Sequence, residues 1–515
     1  MPSPLERLRR RVLRALALAA ALATATAHPQ APAELRVALV IGNSAYAAAP
    51  LVNPANDAQA MSATLRQMGF SVVELRDGRK AQIEAAIAQV RDTLAGRRGV
   101  GLLYYAGHGL QLDWRNYIVP VDARLASAKD VRAQAVDVQQ VVDAFRSAGN
   151  RVNIVVLDAC RDNPFGTGGA KGLAPMDAPP GTLLAYATAP GNVAEDGRPG
   201  SGNGLYTRFL VQELQQPSAR IEDVFKRVRL QVRQGSDGRQ VPWESTSLEE
   251  DFYFAAEARP ARAAGDDEAL SQVAAALLAE KADWDRIRHT DRPEDLYAYL
   301  RKYPDGLISE QAQFRLDQLQ QVAVTAQAGP DGIRMLPAGA SRYRLGDTLV
   351  LDTLDGLTGE TRRSTLRVTQ ADADRVEFNR GAVVYDQMGS VLRNSHGTKD
   401  PGVLMSPADL AVGKRWRSAF VNTRDGQEPS TNYYEFRVVA LEDVTVPAGR
   451  FRAFRIERRG QARSSTGAIT VMEGSSWVDP ATMILLRHDL KHTRRGKVTE
   501  QQSVQLVARR PGAGP

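Results

Sequence analysis

Two residues in the amino-terminal half of this 515-residue chain have the types and spacing for covalent chemistry. Cys160 is the only thiol in the sequence, and His108 is the only histidine between residues 29 and 288. They lie 52 residues apart, in the runs Tyr104-Tyr105-Ala106-Gly107-His108-Gly109 and Leu157-Asp158-Ala159-Cys160-Arg161-Asp162. A thiolate is a strong nucleophile. An imidazole beside it takes the thiol proton and later returns it to a leaving amine. The oxyanion of the tetrahedral intermediate needs backbone donors. The N–H groups of Gly109 and Cys160 are the candidates, because a glycine after the histidine lets the backbone approach closely. A lone cysteine is more often an inert core residue. Here each residue follows an apolar run, and glycines flank His108.

Those apolar runs belong to an alternation of strands and helices between Leu35 and Phe254. Arg36 to Ile41, Phe70 to Leu75, Gly99 to Tyr105, Val152 to Leu157 and Thr182 to Tyr186 read as short buried strands. Between them, Asn53 and Pro54 open a helix that stops at Gly69. Ile83, Ile87, Val90 and Leu94 space out a second helix. Asp137 caps a third that holds Val138, Val141, Val142 and Phe145. Alternation of this kind predicts an α/β fold, a mostly parallel sheet flanked by helices. Chemistry in such sheets sits beyond the carboxyl ends of the strands, which adjacent strands would supply with His108 and Cys160.

The rest of the chain changes character. Residues 255–267 read as a linker, and residues 268–325 as a helical hairpin with Trp284, Ile287, Leu296, Tyr299 and Leu300 at helical spacing. Residues 332–510 alternate like strands and predict an antiparallel sheet or half-barrel. At the other end, residues 1–27 read as a signal peptide. Five arginines precede the Ala/Leu-rich stretch Ala15 to Ala23, and Ala25-Thr26-Ala27 is a small-x-small cleavage site. These residues carry +4 of the formal +7, so the remainder holds +3 and calls for no polyanionic partner. No later segment is long and apolar enough to span a bilayer. His488 and His492 lie in a strand-like pattern that argues against a zinc pair. Gly166 to Lys171 lacks the phosphate-loop spacing. Arg458-Arg459 is too small a patch for nucleic acid.

Taken together, Tyr105-Ala106-Gly107-His108-Gly109, the strand ending Asp158-Ala159-Cys160, and the gap between them resemble the caspase-like cysteine peptidases, the bacterial metacaspase and orthocaspase branch in particular. Arg36 to Asn43, Asn56-Asp57-Ala58, Gly181 to Pro190 and Gln240 to Ser247 extend the resemblance over residues 35–254. It implies a caspase-like peptidase domain with His108 and Cys160 as a catalytic dyad. Animal caspases cut after Asp, and a Gln two residues before the nucleophile lines their pocket. Asp158 stands at that position here. Asp57 matches a second acidic pocket residue of metacaspases. Two carboxylates would repel an acidic side chain and share the donors of an arginine. The chain departs from the metacaspase pattern at Ala106 and at Arg161-Asp162-Asn163. Of the several acids of the metacaspase calcium site only Asp122 and Asp137 have matches, so no cofactor or metal is expected, with calcium activation as the alternative.

The expected protein is therefore an exported, periplasmic cysteine endopeptidase acting on protein or peptide substrates with Arg or Lys before the cut. The alternative is a catalytically weak caspase-like adaptor of the cell envelope, binding protein partners through the helical hairpin and the β domain. Lys171 and Arg198 lie in Gly-rich stretches and are candidate self-cleavage sites.

Overall fold

The computed structural model describes residues 34–113, 115–160, 173–174, 176, 178–188, 202–216, 219–248, 250–255, 266–320, 342–372, 375–407 and 410–512. The proposed signal peptide, Lys171 and Arg198 lie outside them. In chain order the α/β part comprises β1 (Arg36–Gly42), α1 (Pro54–Gln67), β2 (Ser71–Arg76), α2 (Lys80–Leu94), β3 (Val100–Leu112), β4 (Arg115–Ile118), α3 (Ala128–Gln134), β5 (Val136–Asp137), α4 (Val138–Ser147), β6 (Val152–Cys160), β7 (Thr182–Tyr186), α5 (Leu205–Leu214), α6 (Ile221–Gly235) and β8 (Trp243–Thr246).

The continuous apolar runs become the centre of the sheet, whose order is β2-β1-β3-β6-β7-β8. All neighbours are parallel except β7 and β8. β1 is buried from Val37 to Gly42, as a strand covered on both faces must be. On one face Ala38, Val40, Leu102, Tyr104 and Ile154 pack against α1, α5 and α6. On the other face lie α2, with Ile83, Val90 and Leu94 buried, and α4, with Val141 and Phe145 buried.

Two local expectations are corrected. Asn53 stands at the N-cap of α1 but its side chain does not cap, because its φ of −105° and ψ of −18° are already helical. Ser44 Oγ accepts from Ala55 N instead, at 3.0 Å. The strands that carry the candidate pair are also longer than their apolar runs. β3 continues past Tyr105 to Leu112, and its last four residues leave the main sheet to pair antiparallel with β4, which pairs with β5. His108 therefore sits inside a strand and Cys160 is the last residue of one.

The predicted helical hairpin is a unit of three helices: α7 (Asp266–Ile287), α8 (Pro293–Lys302) and α9 (Ser309–Gln320). The chain breaks at residues 288–292 and again at 303–308, and the second break is followed by a third helix where a hairpin was expected. Leu277, Trp284, Leu296, Leu300, Ile308 and Leu316 form its core, which also takes in Leu230 of α6. Twelve strands follow, from β9 (Thr348–Asp355) to β20 (Lys497–Arg510), and they close into an antiparallel barrel rather than a half-barrel. Closure comes from β20 pairing with β9, from Gln502↔Asp355 to Arg510↔Thr348. A closed barrel has no free edges.

The three parts meet along α6 and β8. Asp305, between α8 and α9, receives Arg220 Nη2 at 2.5 Å, Lys226 Nζ at 2.7 Å and Arg417 Nη2 at 3.0 Å. Gly413, with φ +93°, lies so close to β8 that a Cβ would stand 1.0 Å from Thr246 O. Arg415 Nη2 donates to Leu248 O at 2.6 Å. A cleft of about 340 Å³ remains here, lined by ion pairs and by Trp243 and Trp416.

Candidate active site

The register of the parallel sheet does what the sequence spacing suggests. β3 and β6 pair from Val100↔Val152 onward without a shift, so the last pair is His108↔Cys160. Both residues thus stand at the carboxyl end of the pairing between these adjacent strands. The Cys160 side chain lies outside the described part of the structure.

The imidazole is held from one side. His108 Nε2 lies 2.7 Å from Ala49 O. A carbonyl can only accept, so Nε2 carries the hydrogen and the neutral ring keeps Nδ1 as its acceptor. That is the tautomer in which Nδ1 can take a proton. Tyr46 packs on the ring, with centroids 4.4 Å apart, and its hydroxyl accepts from His108 N at 3.0 Å and donates to Val119 O at 3.0 Å. Burial pushes the Tyr46 phenol up to about 12, so it stays a neutral hydroxyl. Tyr105 Oη donates to His108 O at 2.5 Å. The sequence reading missed both tyrosines. Tyr46 lies far from the motif in sequence, and nothing local marks it.

Glycines make this approach possible. Gly107 has φ +152°, and a Cβ there would come 2.7 Å from Tyr105 Oη and 2.8 Å from Tyr46 Oη. Gly109 lies one residue beyond the last β3–β6 pair. A Cβ on it would meet the Ala159 Cβ at 3.0 Å, so its backbone runs close beside the residue preceding Cys160.

Asp57 and Asp158 both hold partners at the start of α5. Asp57, 2% exposed, accepts through Oδ1 from Asn203 Nδ2 at 2.8 Å and from Gly204 N at 2.9 Å. It therefore ties α1 to the start of α5, which a residue placed only for the helix dipole would not do. Asp158, half-buried and paired with Ala106, accepts from Thr207 Oγ1 at 2.6 Å and lies 3.4 Å from Tyr104 Oη. Thr207 and Tyr104 also bond to each other. Burial first, then the charges of Asp158 and Asp57, push the Tyr104 phenol well above its ordinary value. Asn203 and Thr207 were not foreseen, since an amide and a hydroxyl at the edge of a Gly-rich stretch give no distinctive signal.

Asp122 and Asp137 do not resemble a calcium site. Asp122 Oδ1 accepts from Lys80 N at 3.1 Å. Asp137 accepts from Gln139 N at 2.9 Å as the cap of α4 and pairs with Arg115 Nε at 2.6 Å. A guanidinium on the carboxylate occupies the face a cation would need.

The caspase-domain family model matches residues 35–253. These residues form a caspase domain. Part of the chain is 31% identical, over 182 residues, to mucosa-associated lymphoid tissue lymphoma translocation protein 1 of Homo sapiens, covering 35% of this chain and 22% of that protein. The homologous protein of Mus musculus is 31% identical over 182 residues, 21% of its length. The chain spans about a fifth of the length of these curated relatives. Within the caspase domain the sheet is the expected α/β arrangement, and the antiparallel barrel is a separate addition after it.

Proposed function

We propose that the caspase domain is a cysteine endopeptidase that cuts after Arg or Lys, with Cys160 as nucleophile and His108 as its acid–base partner. The observation that carries this reading is the unshifted β3–β6 register ending on His108↔Cys160. His108 Nδ1 takes the thiol proton and the thiolate attacks the scissile carbonyl carbon. The N–H groups of Gly109 and Cys160 stabilise the oxyanion. Collapse expels the amine, which receives its proton from His108 and leaves a thioester. Water, deprotonated by the same ring, then releases the acid and the thiol. Asp57 and Asp158 supply the negative charge that selects a basic side chain. The Arg-rich, Ala/Leu-rich start of the sequence supports export to the periplasm. Among the described residues no helix is long and apolar enough to cross a membrane.

The deciding experiment uses purified protein and peptides that differ only in Arg, Lys or Asp before the cut, beside Cys160→Ala. The expected result is cleavage of the basic peptides alone, lost in Cys160→Ala at unchanged melting temperature. Cleavage that survives in Cys160→Ala would overturn the dyad, and preference for Asp would overturn the pocket. Failure of every peptide with wild-type protein would favour the adaptor reading.

A further inference from the structure

The carbonyl that fixes the His108 tautomer belongs to a loop with little of its own to hold it. Ala49 lies in Ala47-Ala48-Ala49-Pro50, four exposed residues without a polar side chain. The bonds that shape this loop lie at its base. Ser44 O accepts from Tyr46 N and from Leu51 N, both at 3.0 Å, and so closes the turn on either side of Ala49. Ser44 Oγ ties the same residue to the start of α1 through Ala55 N. Asp77, the residue after β2, holds Ser44 in turn. Its Oδ1 accepts from Ser44 N and from Ala45 N, both at 2.8 Å. Two successive N–H groups on one carboxylate oxygen make a firm backbone clamp, since both bonds are charge-assisted.

The sheet brings this carboxylate to the loop. β1 and β2 pair in parallel up to Gly42↔Arg76, and Asp77 N donates to Gly42 O at 2.9 Å. Asp77 therefore leaves the sheet beside the turn that leaves β1. Its φ of +53° is left-handed, a conformation that Asp and Asn adopt more readily than most residues with a Cβ. The chain then turns so that Gly78 N donates to Asn43 Oδ1 at 2.9 Å, while Asn43 Nδ2 donates to Val119 O at 3.1 Å. Val119 O is also the acceptor of the Tyr46 hydroxyl. One connected path thus runs from Asp77 through Ser44 and Ala45 to Tyr46 and Ala49, the two residues that touch the His108 ring.

We infer that Asp77 is a positioning residue for the proposed dyad: through Ser44 N and Ala45 N it holds the loop whose Ala49 carbonyl accepts from His108 Nε2. The inference rests on the Cys160–His108 reading and adds the residue that orients the ring. When Nδ1 takes the thiol proton, the Nε2–H donates from a cation and its bond to Ala49 O strengthens. A carbonyl already held in place stabilises the charged ring without reorganisation. A loose one does so less well, and less thiolate forms at neutral pH.

The test compares Asp77→Gly, which removes the carboxylate and suits a left-handed position, with Asp77→Asn, which suits it too and keeps an Oδ1 acceptor. Cys160 is the only thiol of the full-length chain, so its alkylation by iodoacetamide can be followed across pH without any peptide substrate. Asp77→Gly should alkylate about tenfold more slowly than wild type at about pH 7 and equally fast at about pH 10, where a thiol ionises unaided. Asp77→Asn should stay near wild type. On Arg peptides kcat should fall in the same proportion with KM unchanged. Wild-type rates in a folded Asp77→Gly would overturn the proposal. So would an Asp77→Asn as slow as Asp77→Gly, because charge and not hydrogen bonding would then be acting. A lower melting temperature with an unchanged pH profile would make Asp77 merely structural. Should Asp77→Gly fail to fold, Asp77→Ser takes its place, since its hydroxyl is one bond shorter and falls short of both N–H groups; wild-type rates there overturn the proposal equally. His108→Ala separates the outcomes. If it alkylates like wild type at about pH 7, the dyad is absent and the role of Asp77 falls with it. If it is slow while Asp77→Gly is not, the dyad stands and only Asp77 loses its role.

Discussion

The carboxyl end of the caspase sheet and the interior of the barrel hold buried charge of opposite sign, and they hold it differently. Asp57 accepts from Asn203 Nδ2 and Gly204 N, and Asp158 from Thr207 Oγ1, all of them neutral donors. Arg458 instead has an aromatic face and a thioether. In the proposed function the first arrangement receives the cation of a substrate. The second holds a cation that has no carboxylate partner among the described residues.

The sharpest way to break this comparison is to remove one charge at each end. Asp158→Asn keeps the shape of the recess and halves its charge. It should lower kcat/KM for Arg peptides by about 30-fold to about 5 × 10³-fold, the equivalent of about 2–5 kcal/mol for one partner of a desolvated pair. Arg458→Met should leave peptide cleavage unchanged. If Asp158→Asn cleaves Arg peptides as well as wild type does, the sheet end is not a basic-side-chain pocket, and the contrast with the barrel fails.

The two regions were also unequally legible. β1 and β7 could be read from the sequence because strands buried on both faces are continuous apolar runs. The meeting of His108 and Cys160 followed from the order of those runs. The β4 and β5 extension could not be read, since strands of four and two residues carry no period. α9 was missed as a separate helix because SEQAQFRLDQLQ buries only Ser309, Ala312 and Leu316. Barrel closure depends on β9 meeting β20 across the whole domain, and no local pattern encodes that. Arg458 and Arg459 looked like one basic patch until alternation sent them to opposite faces.

Asp305 joins the two regions, and its removal should loosen them from each other. Burial alone would raise its carboxyl, but Lys226, Arg417 and Arg220 hold it below its ordinary value. A depressed folded value means that the stabilisation is complete above the unfolded value, near pH 4, and is lost as pH falls through the folded one. Asp305→Asn should cost up to about 3 kcal/mol at neutral pH, near the low end for breaking a buried pair. It should also flatten the loss of stability as pH falls below about 4, where this carboxylate is protonated in wild type. Urea titrations at neutral and acidic pH measure both effects. An unchanged pH dependence would show that the joint rests on apolar contacts around Leu230 instead.

Gly107→Ala probes the histidine side of the sheet end. Its φ of +152° and its two tyrosine hydroxyls leave no room for a methyl group. A strained backbone of this kind costs about 1–3 kcal/mol. Thermal melting should fall accordingly, and kcat should fall with it, because relief of the clash moves Tyr46 and Tyr105 away from His108. A variant with normal melting and normal kcat would mean that the imidazole does not depend on these hydroxyls.

The smallest effect separates positioning from charge. Thr207→Val keeps the shape of the side chain and removes the 2.6 Å bond to Asp158 Oδ2. Tyr104 Oη, already 3.4 Å from the same oxygen, can take over part of that bond. The loss should therefore be about 1 kcal/mol, or about fivefold in kcat/KM on Arg peptides. It should fall on KM with kcat unchanged if Asp158, as proposed, holds the substrate side chain and takes no part in bond breaking. Thr207→Ser, which keeps the hydroxyl, should restore the wild-type value. A merely structural role would instead lower the melting temperature and leave KM alone. A fall in kcat would mean that the carboxylate helps to set the geometry of the attack on the carbonyl as well as the choice of side chain.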